Sequence, residues 1–203
     1  MPPAAGNPEE LLCQAKSGRE ASLGALLELY RSYLGLLARV EIGRRLQGKV
    51  DASDLVQETF LEAHRNFARF EGTNERQFLN WMRQILAARV ANLVRHYVGT
   101  QGRDVRLEQD LAAQLDQSSQ LLDGGLMAEC SSPSQLASGR EQAVLLADAL
   151  SKLPEDYRDV IVLRHLEGLT FPEVAGRMDK TLDSVEKLWV RGLARLRQLF
   201  GKK

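Results

Sequence analysis

Residues 170–200, TFPEVAGRMDKTLDSVEKLWVRGLARLRQLF, decide the fold of the C-terminal third. Thr170 and Glu173 stand at capping-box spacing with Pro172 in the first turn, so a helix opens here and runs to Met178. Four residues later a longer helix begins. Its apolar positions Val185, Leu188, Trp189, Leu193, Leu196 and Phe200 recur at intervals of three or four, which leaves Lys187, Arg191 and Arg195 in register on another face. A short helix, a tight turn and a long basic-faced helix make the helix-turn-helix pattern. Such a helix fits the major groove, with Asp183, Ser184 and Lys187 as early candidates for base contact and Arg191 and Arg195 for phosphate. Arg197, Lys202 and Lys203 would add to the phosphate contacts. The spacing alone is equally compatible with a solvated face. Trp189 reads as core.

Working outward, a helix from Arg140 to Leu150 and another with Pro154 in its first turn, reaching about Glu167 and stopped by Gly168, complete the second domain. In the N-terminal half, Leu23, Leu26, Leu27, Tyr30, Leu34, Leu37 and Val40 predict one helix over 21–42, after a shorter one over 9–16 and a break at Ser17-Gly18. A third helix starts at Asp51 or Ser53 as cap, with Val56, Phe60, Ala63 and Phe67 as its apolar stripe. The break FEGTNE (residues 70–75) precedes a fourth helix that runs to about Tyr97. Residues 99–139, with Asp123-Gly124-Gly125 and Ser131-Ser132-Pro133-Ser134, read as a linker with one short helical candidate around 107–122.

The 203 residues include 44% hydrophobic ones, and the formal net charge is zero. That total hides an uneven distribution. Residues 1–98 carry 13 Lys and Arg against 11 Asp and Glu, residues 99–140 carry 3 against 6, and residues 141–203 carry 11 against 10. Partners are therefore to be sought locally. Cys13 and Cys130 have no CxxC or HxC neighbours, so neither a metal site nor a disulfide framework is expected. No leader-like start and no membrane-length apolar run is present, and a cytoplasmic, uninserted protein is expected. No phosphate-binding loop, metal-ligand cluster or nucleophile constellation stands out, and His64, His96 and His165 are isolated, so neither enzymatic activity nor a cofactor is expected.

On the helix from Asp51, the residues Asp51, Asp54, Gln57 and Glu58 build an acidic and amide edge that suits a basic partner or, more blandly, solvent. Arg76, Arg83, Arg89 and Arg95 lie among residues 76–96 without an intervening acid, close to Phe67, Phe70, Phe78, Trp81 and Tyr97. Cations interleaved with aromatics suit unstacked single-stranded bases, with Phe70 as the stacking candidate. The loop 70–74 offers donors for the edge of an extruded base.

DASDLVQETFLEAHRNFARFEG and FLNWMRQILA resemble the core of the extracytoplasmic-function (ECF) sigma factors of RNA polymerase, in the sigma-70 family. LPEDYRDVIVLRHLEGLTFPEVAGRM is similar to their C-terminal domain. The resemblance implies an all-α chain of two small helical domains: a core-binding, promoter-melting bundle over 9–98 and a helix-turn-helix domain over 140–203. A flexible linker over 99–139 joins them. Core polymerase would bind Asp51, Asp54, Leu55, Gln57, Glu58 and Phe60. The minus-ten element would fall on Phe70, Gly72, Thr73, Asn74, Asn80, Trp81, Arg83, Gln84, Arg89 and Asn92. The duplex minus-thirty-five element would fall on Thr181, Asp183, Ser184, Lys187, Arg191 and Arg195.

The implied partners are bacterial core RNA polymerase and promoter DNA, duplex and melted, with an anti-sigma protein as a candidate regulator. The acidic linker would thread the polymerase channels as a nucleic-acid mimic. Departures from the family pattern are Ala88 where Asn is common, Asp179 where Gly is usual, and Asp183, Glu186, Leu188 and Trp189 in a recognition helix that is commonly more basic. Asp tolerates the left-handed conformation, so Asp179 preserves the turn. A polymerase-independent helix-turn-helix regulator, with 9–98 as a dimerisation or sensor domain, is the alternative.

Overall fold

The computed structural model describes residues 7–45, 50–98, 105–122 and 142–200, and among them only helices and turns occur. The helices are α1 (Pro8–Lys16), α2 (Glu20–Leu29), α3 (Arg31–Arg45), α4 (Ala52–Asn66), α5 (Glu75–Val98), α6 (Val105–Gln120), α7 (Gln142–Ser151), α8 (Glu155–Ile161), α9 (Phe171–Met178) and α10 (Leu182–Phe200). The chain divides into two units, residues 1–117 and 118–203. The Gly124-Gly125 and 131–134 stretches, Cys130, Lys202 and Lys203 lie outside the described residues.

In the first unit every residue of the stripe from Leu23 to Val40 is buried, yet the expected single helix is two. The chain turns at Tyr30, whose ψ of 4° departs from helix while its N–H still donates to the Leu27 carbonyl at 3.0 Å. The reason is tertiary. Tyr30 is fully buried and its hydroxyl donates to Glu75 Oε1 at 2.9 Å, at the start of α5. A buried hydroxyl and a buried carboxylate must pair, because leaving either unpaired costs about 1–3 kcal/mol.

α4 begins where expected. Asp51 is its N-cap, and the side chain accepts from the Ser53 N–H at 2.8 Å. Its inward face is Leu55, Val56, Thr59 and Ala63, and α4 packs on α3 and α5. α5 buries Phe78, Leu79, Met82, Leu86 and Val90, a spacing of three or four that keeps one side inward for three turns. The expected linker opens on α6, which through Gln117 belongs to the first unit.

In the second unit, α10 packs on α8, α9 and α7. Gly192 is buried at that crossing. A Cβ there would lie 3.2 Å from Ile161 Cδ1 and 3.3 Å from the Tyr157 carbonyl oxygen, tighter than most Cβ contacts, so a larger residue would press α8 and α10 apart by a few tenths of an ångström. After α8 the chain widens into one π-turn, Val162–Leu166, and leaves through Gly168 at φ 75°. The capping box of α9 is formed: the Glu173 carboxylate accepts the Thr170 N–H at 2.7 Å and its hydroxyl at 2.6 Å. These hydrogen bonds hold the Glu173 carboxyl below its ordinary pKa. With the folded value lowered, the cap's contribution is full above the ordinary carboxylate range and is lost as pH falls through the lowered one.

α9 ends at Asp179, left-handed at φ 51° and ψ 48°, the conformation expected of the residue standing where Gly is usual. Asp179→Val should destabilise the second unit by about 1–2 kcal/mol, since a β-branched side chain clashes in that conformation, whereas Asp179→Gly should not. Denaturant melts followed by far-UV circular dichroism check this, and equal stability of the two variants contradicts it.

Candidate polymerase and nucleic-acid surfaces

Three surfaces can be built from the residues upward. On α4, the burial of Leu55, Val56, Thr59 and Ala63 fixes which way the helix is turned, and it leaves Asp51, Asp54, Gln57 and Glu58 exposed. Asp54 and Glu58 have no ion-pair partner among the described residues. Phe60 is half-buried, with the Arg31 guanidinium 4.9 Å above its ring.

Leu55 requires a correction. It is 1% exposed, inside the core, so its side chain holds the helix and is not available to a partner. The sequence reading missed Leu61, which is 58% exposed and lies three and four residues beyond Glu58 and Gln57. Its signal was present. Leu61 is apolar but falls off the stripe Val56, Phe60, Ala63.

The second surface surrounds the loop between α4 and α5. Phe67, Phe70, Phe78 and Trp81 form one cluster, with ring centroids 5.0 Å apart for Phe70–Trp81 and 5.6 Å for Phe70–Phe78. Lys16 of α1 reaches across, its Nζ 5.4 Å from the Phe70 centroid and donating to the Glu71 carbonyl at 3.3 Å. Phe70 is thus half-buried, framed by Trp81, Phe67 and Lys16. Gly72 is required by space, because a Cβ there would strike the Phe70 ring and lie 2.9 Å from Gln77 Cβ.

Not every expected donor in the loop is open. The Thr73 N–H donates to Gln77 Oε1 at 2.7 Å, and Asn74 Oδ1 accepts the Gln77 N–H at 2.9 Å, a reciprocal cap on α5. Among the described residues the Asn74 side-chain nitrogen has no hydrogen-bond partner. Beyond the loop, Asn80, Gln84, Ala88 and Asn92 follow at intervals of four along α5, and all but Ala88 are exposed.

The arginines of α5 divide by partner. Arg83 Nε donates to Asp116 of α6 at 2.5 Å and Nη1 to the Tyr33 hydroxyl at 2.9 Å. Burial opposes its charge, but Tyr33 and Asp116 outweigh that and hold the guanidinium pKa above its ordinary value. Arg95 pairs with Glu108 of α6 at 3.3 Å and also donates to the Asn92 side chain. Arg89 pairs with Glu62 of α4 at 3.4 Å. Arg69 and Arg76, flanking the loop, are exposed and have no ion-pair partner among the described residues. Arg69 was not singled out by sequence, since it sits outside the acid-free run of α5.

The third surface is the start and outer side of α10. The Thr181 hydroxyl accepts the Ser184 N–H at 3.3 Å, and Asp183 accepts from Lys187 Nζ at 2.7 Å. Ser184 is half-buried, and Arg191 and Arg195 are exposed. Trp189 faces inward as expected: its Nε1 donates to His165 Nε2 at 3.0 Å, the two rings stack, and Phe171 abuts edge-on. Lys180 at the turn pairs with Asp156 of α8 at 3.3 Å.

Among the described residues no three of His, Cys, Asp and Glu gather as metal ligands do. Among the same residues no helix is long and apolar enough to cross a membrane.

The description "Sigma-70 region 2" matches residues 29–100 and "Sigma-70, region 4" matches residues 143–196. The chain is 31% identical over 137 residues to the ECF RNA polymerase sigma-E factors of Salmonella typhimurium (strain LT2) and Escherichia coli (strain K12), covering 66% of this chain and of each relative. It is 28% identical over 179 residues to the sigma-E factor of Haemophilus influenzae, covering 87% of this chain and 86% of that one. Among solved structures, CnrH in complex with the cytosolic domain of CnrY aligns over 98% of both chains at 24% identity, with a TM-score of 0.37, too low to bear on domain arrangement. Two sigma-70 regions in family order, over a helical bundle and a formed helix-turn-helix, establish that the chain belongs to the sigma-70 family of RNA polymerase sigma factors, in its ECF class.

Proposed function

We propose that this chain joins bacterial core RNA polymerase and directs it to promoters, with α4 as the docking edge, the loop 70–74 and α5 as the seat of the opened minus-ten strand, and α9–α10 as the reader of the duplex minus-thirty-five element. It works in the cytoplasm as a dissociable initiation subunit and adds no catalytic chemistry of its own. The observation that carries this reading is the outward presentation of Asp54 and Glu58, without ion-pair partners among the described residues, on a helix whose opposite face is locked in the core. Exposed carboxylates held on a rigid helix give a basic partner both steering and register. Leu61 adds an apolar anchor beside them.

At the opened strand, Arg69 and Arg76 supply cations, Asn80 and Gln84 supply amides, and the Phe70 cluster supplies an aromatic wall. Arg83 comes to the strand only by exchanging Asp116 for phosphate. Charge reversal tests the docking edge. Asp54→Arg with Glu58→Arg should weaken capture by core polymerase at least about 100-fold and abolish promoter-specific starts, because reversing close charge pairs costs several kcal/mol. A polymerase-independent regulator would keep its promoter occupancy, and unchanged capture overturns the reading.

The exchange at Arg83 has its own test. Asp116→Asn should raise the affinity of the full chain for a single-stranded minus-ten oligonucleotide about 2- to 10-fold at low salt, the gain fading as salt screens the pair. Fluorescence anisotropy measures it, and unchanged or weaker binding contradicts it.

A further inference from the structure

We infer that Glu186 and Val190 are specificity-determining residues that set the base preference of the recognition helix, reading an exocyclic amino group and a thymine methyl respectively. The inference rests on the proposal that α10 enters the major groove, and it adds two side chains that the family pattern did not mark. Asp183, Glu186, Lys187, Val190 and Arg191 line one shallow depression along α10. At about 100° per residue, these five residues span one arc of the helix, with Asp183 and Lys187 most nearly opposite the buried line of Val185, Gly192 and Leu196, and Val190 between Asp183 and Glu186.

Val190 is 56% exposed, a β-branched apolar side chain in the middle of a charged strip. Packing does not account for it. A scattered surface valine would be unremarkable elsewhere, but this one lies between Asp183 and Glu186 on the exposed arc of the helix that the proposal places in the groove. There its methyls meet the one apolar feature the major groove offers, the C5-methyl of thymine.

Glu186 is exposed and has no hydrogen-bond or ion-pair partner among the described residues. Its carboxylate is repelled by phosphate and by the O6 and N7 acceptors of guanine, and it accepts only from an amino group, that of cytosine above all. Asp183 differs, since its charge is engaged by Lys187. The strip therefore presents an acceptor and a methyl contact side by side, with Arg191 left for guanine or phosphate.

The test uses the full chain with core polymerase and a promoter library randomised through the minus-thirty-five element, comparing the wild type with Glu186→Ala, Glu186→Gln and Val190→Ala. Both positions are exposed, and circular dichroism melts confirm equal folding. The wild type should enrich a site holding a cytosine near a thymine. Glu186→Ala should lose about 5- to 100-fold discrimination at the cytosine position, and Glu186→Gln should move it towards adenine. Replacing that thymine by uracil should weaken wild-type binding a few-fold and leave Val190→Ala unaffected. Identical profiles for wild type and variants, or a uniform loss of affinity with the profile unchanged, overturn the inference. A wild type that selects no minus-thirty-five sequence at all overturns instead the proposal on which it rests.

Discussion

The first unit depends on the burial of one ring. Phe78, fully enclosed, lies within 5.6–6.5 Å of Tyr30, Phe67, Phe70 and Trp81, so it touches the break between α2 and α3, the end of α4, the loop and α5 at once. Aromatic side chains bury large areas with preferred mutual geometry, and such a cluster fixes positions as well as supplying energy. The loop 70–74 is short, polar at its tip and exposed, yet its place is set from below by Phe70 and from the side by Lys16. A loop held this way can present side chains to an opened strand without first paying the entropy of ordering itself.

Charge is arranged by partnership more than by count. Three cations of α5 already hold acids of the same chain, Arg83 with Asp116, Arg95 with Glu108 and Arg89 with Glu62, while Arg76 beside the loop has no ion-pair partner among the described residues. On α4 the acids Asp54 and Glu58 are left without partners among the described residues. A formal net charge of zero thus coexists with one exposed acidic edge and one basic face partly occupied by α6. Half-buried pairs of this kind are worth more than exposed ones and less than their Coulomb energy suggests, so they can be exchanged for phosphate.

In the second unit the recognition helix is oriented by its inner side. Gly192 admits α8, Trp189 is tethered to His165, and the left-handed Asp179 aims the turn. These contacts leave Asp183, Glu186, Lys187, Val190 and Arg191 exposed on the outer side.

Much of this was legible in the residues. The stripe from Leu23 to Val40, the Asp51 cap, the Thr170–Glu173 box and the basic-faced helix all rest on local spacing, and local spacing is what a chain carries along its length. The acidic edge was legible too, because α4 is amphipathic enough that turning its apolar side inward leaves only one orientation. Other features depend on residues far apart in sequence. The break at Tyr30 exists because its hydroxyl meets Glu75, 45 residues on. α6 appeared in sequence as a helical candidate within a linker, and only its pairing with Arg83 and Arg95 makes it part of the first unit. Leu55 reads as an edge residue by resemblance, but the packing of α4 on α3 and α5 turns it into the core. Periodicity determined which helices form and which faces they bury; which charges remain free for polymerase and DNA was decided by tertiary structure, because an ion pair depends on distance in space and not on spacing in the chain.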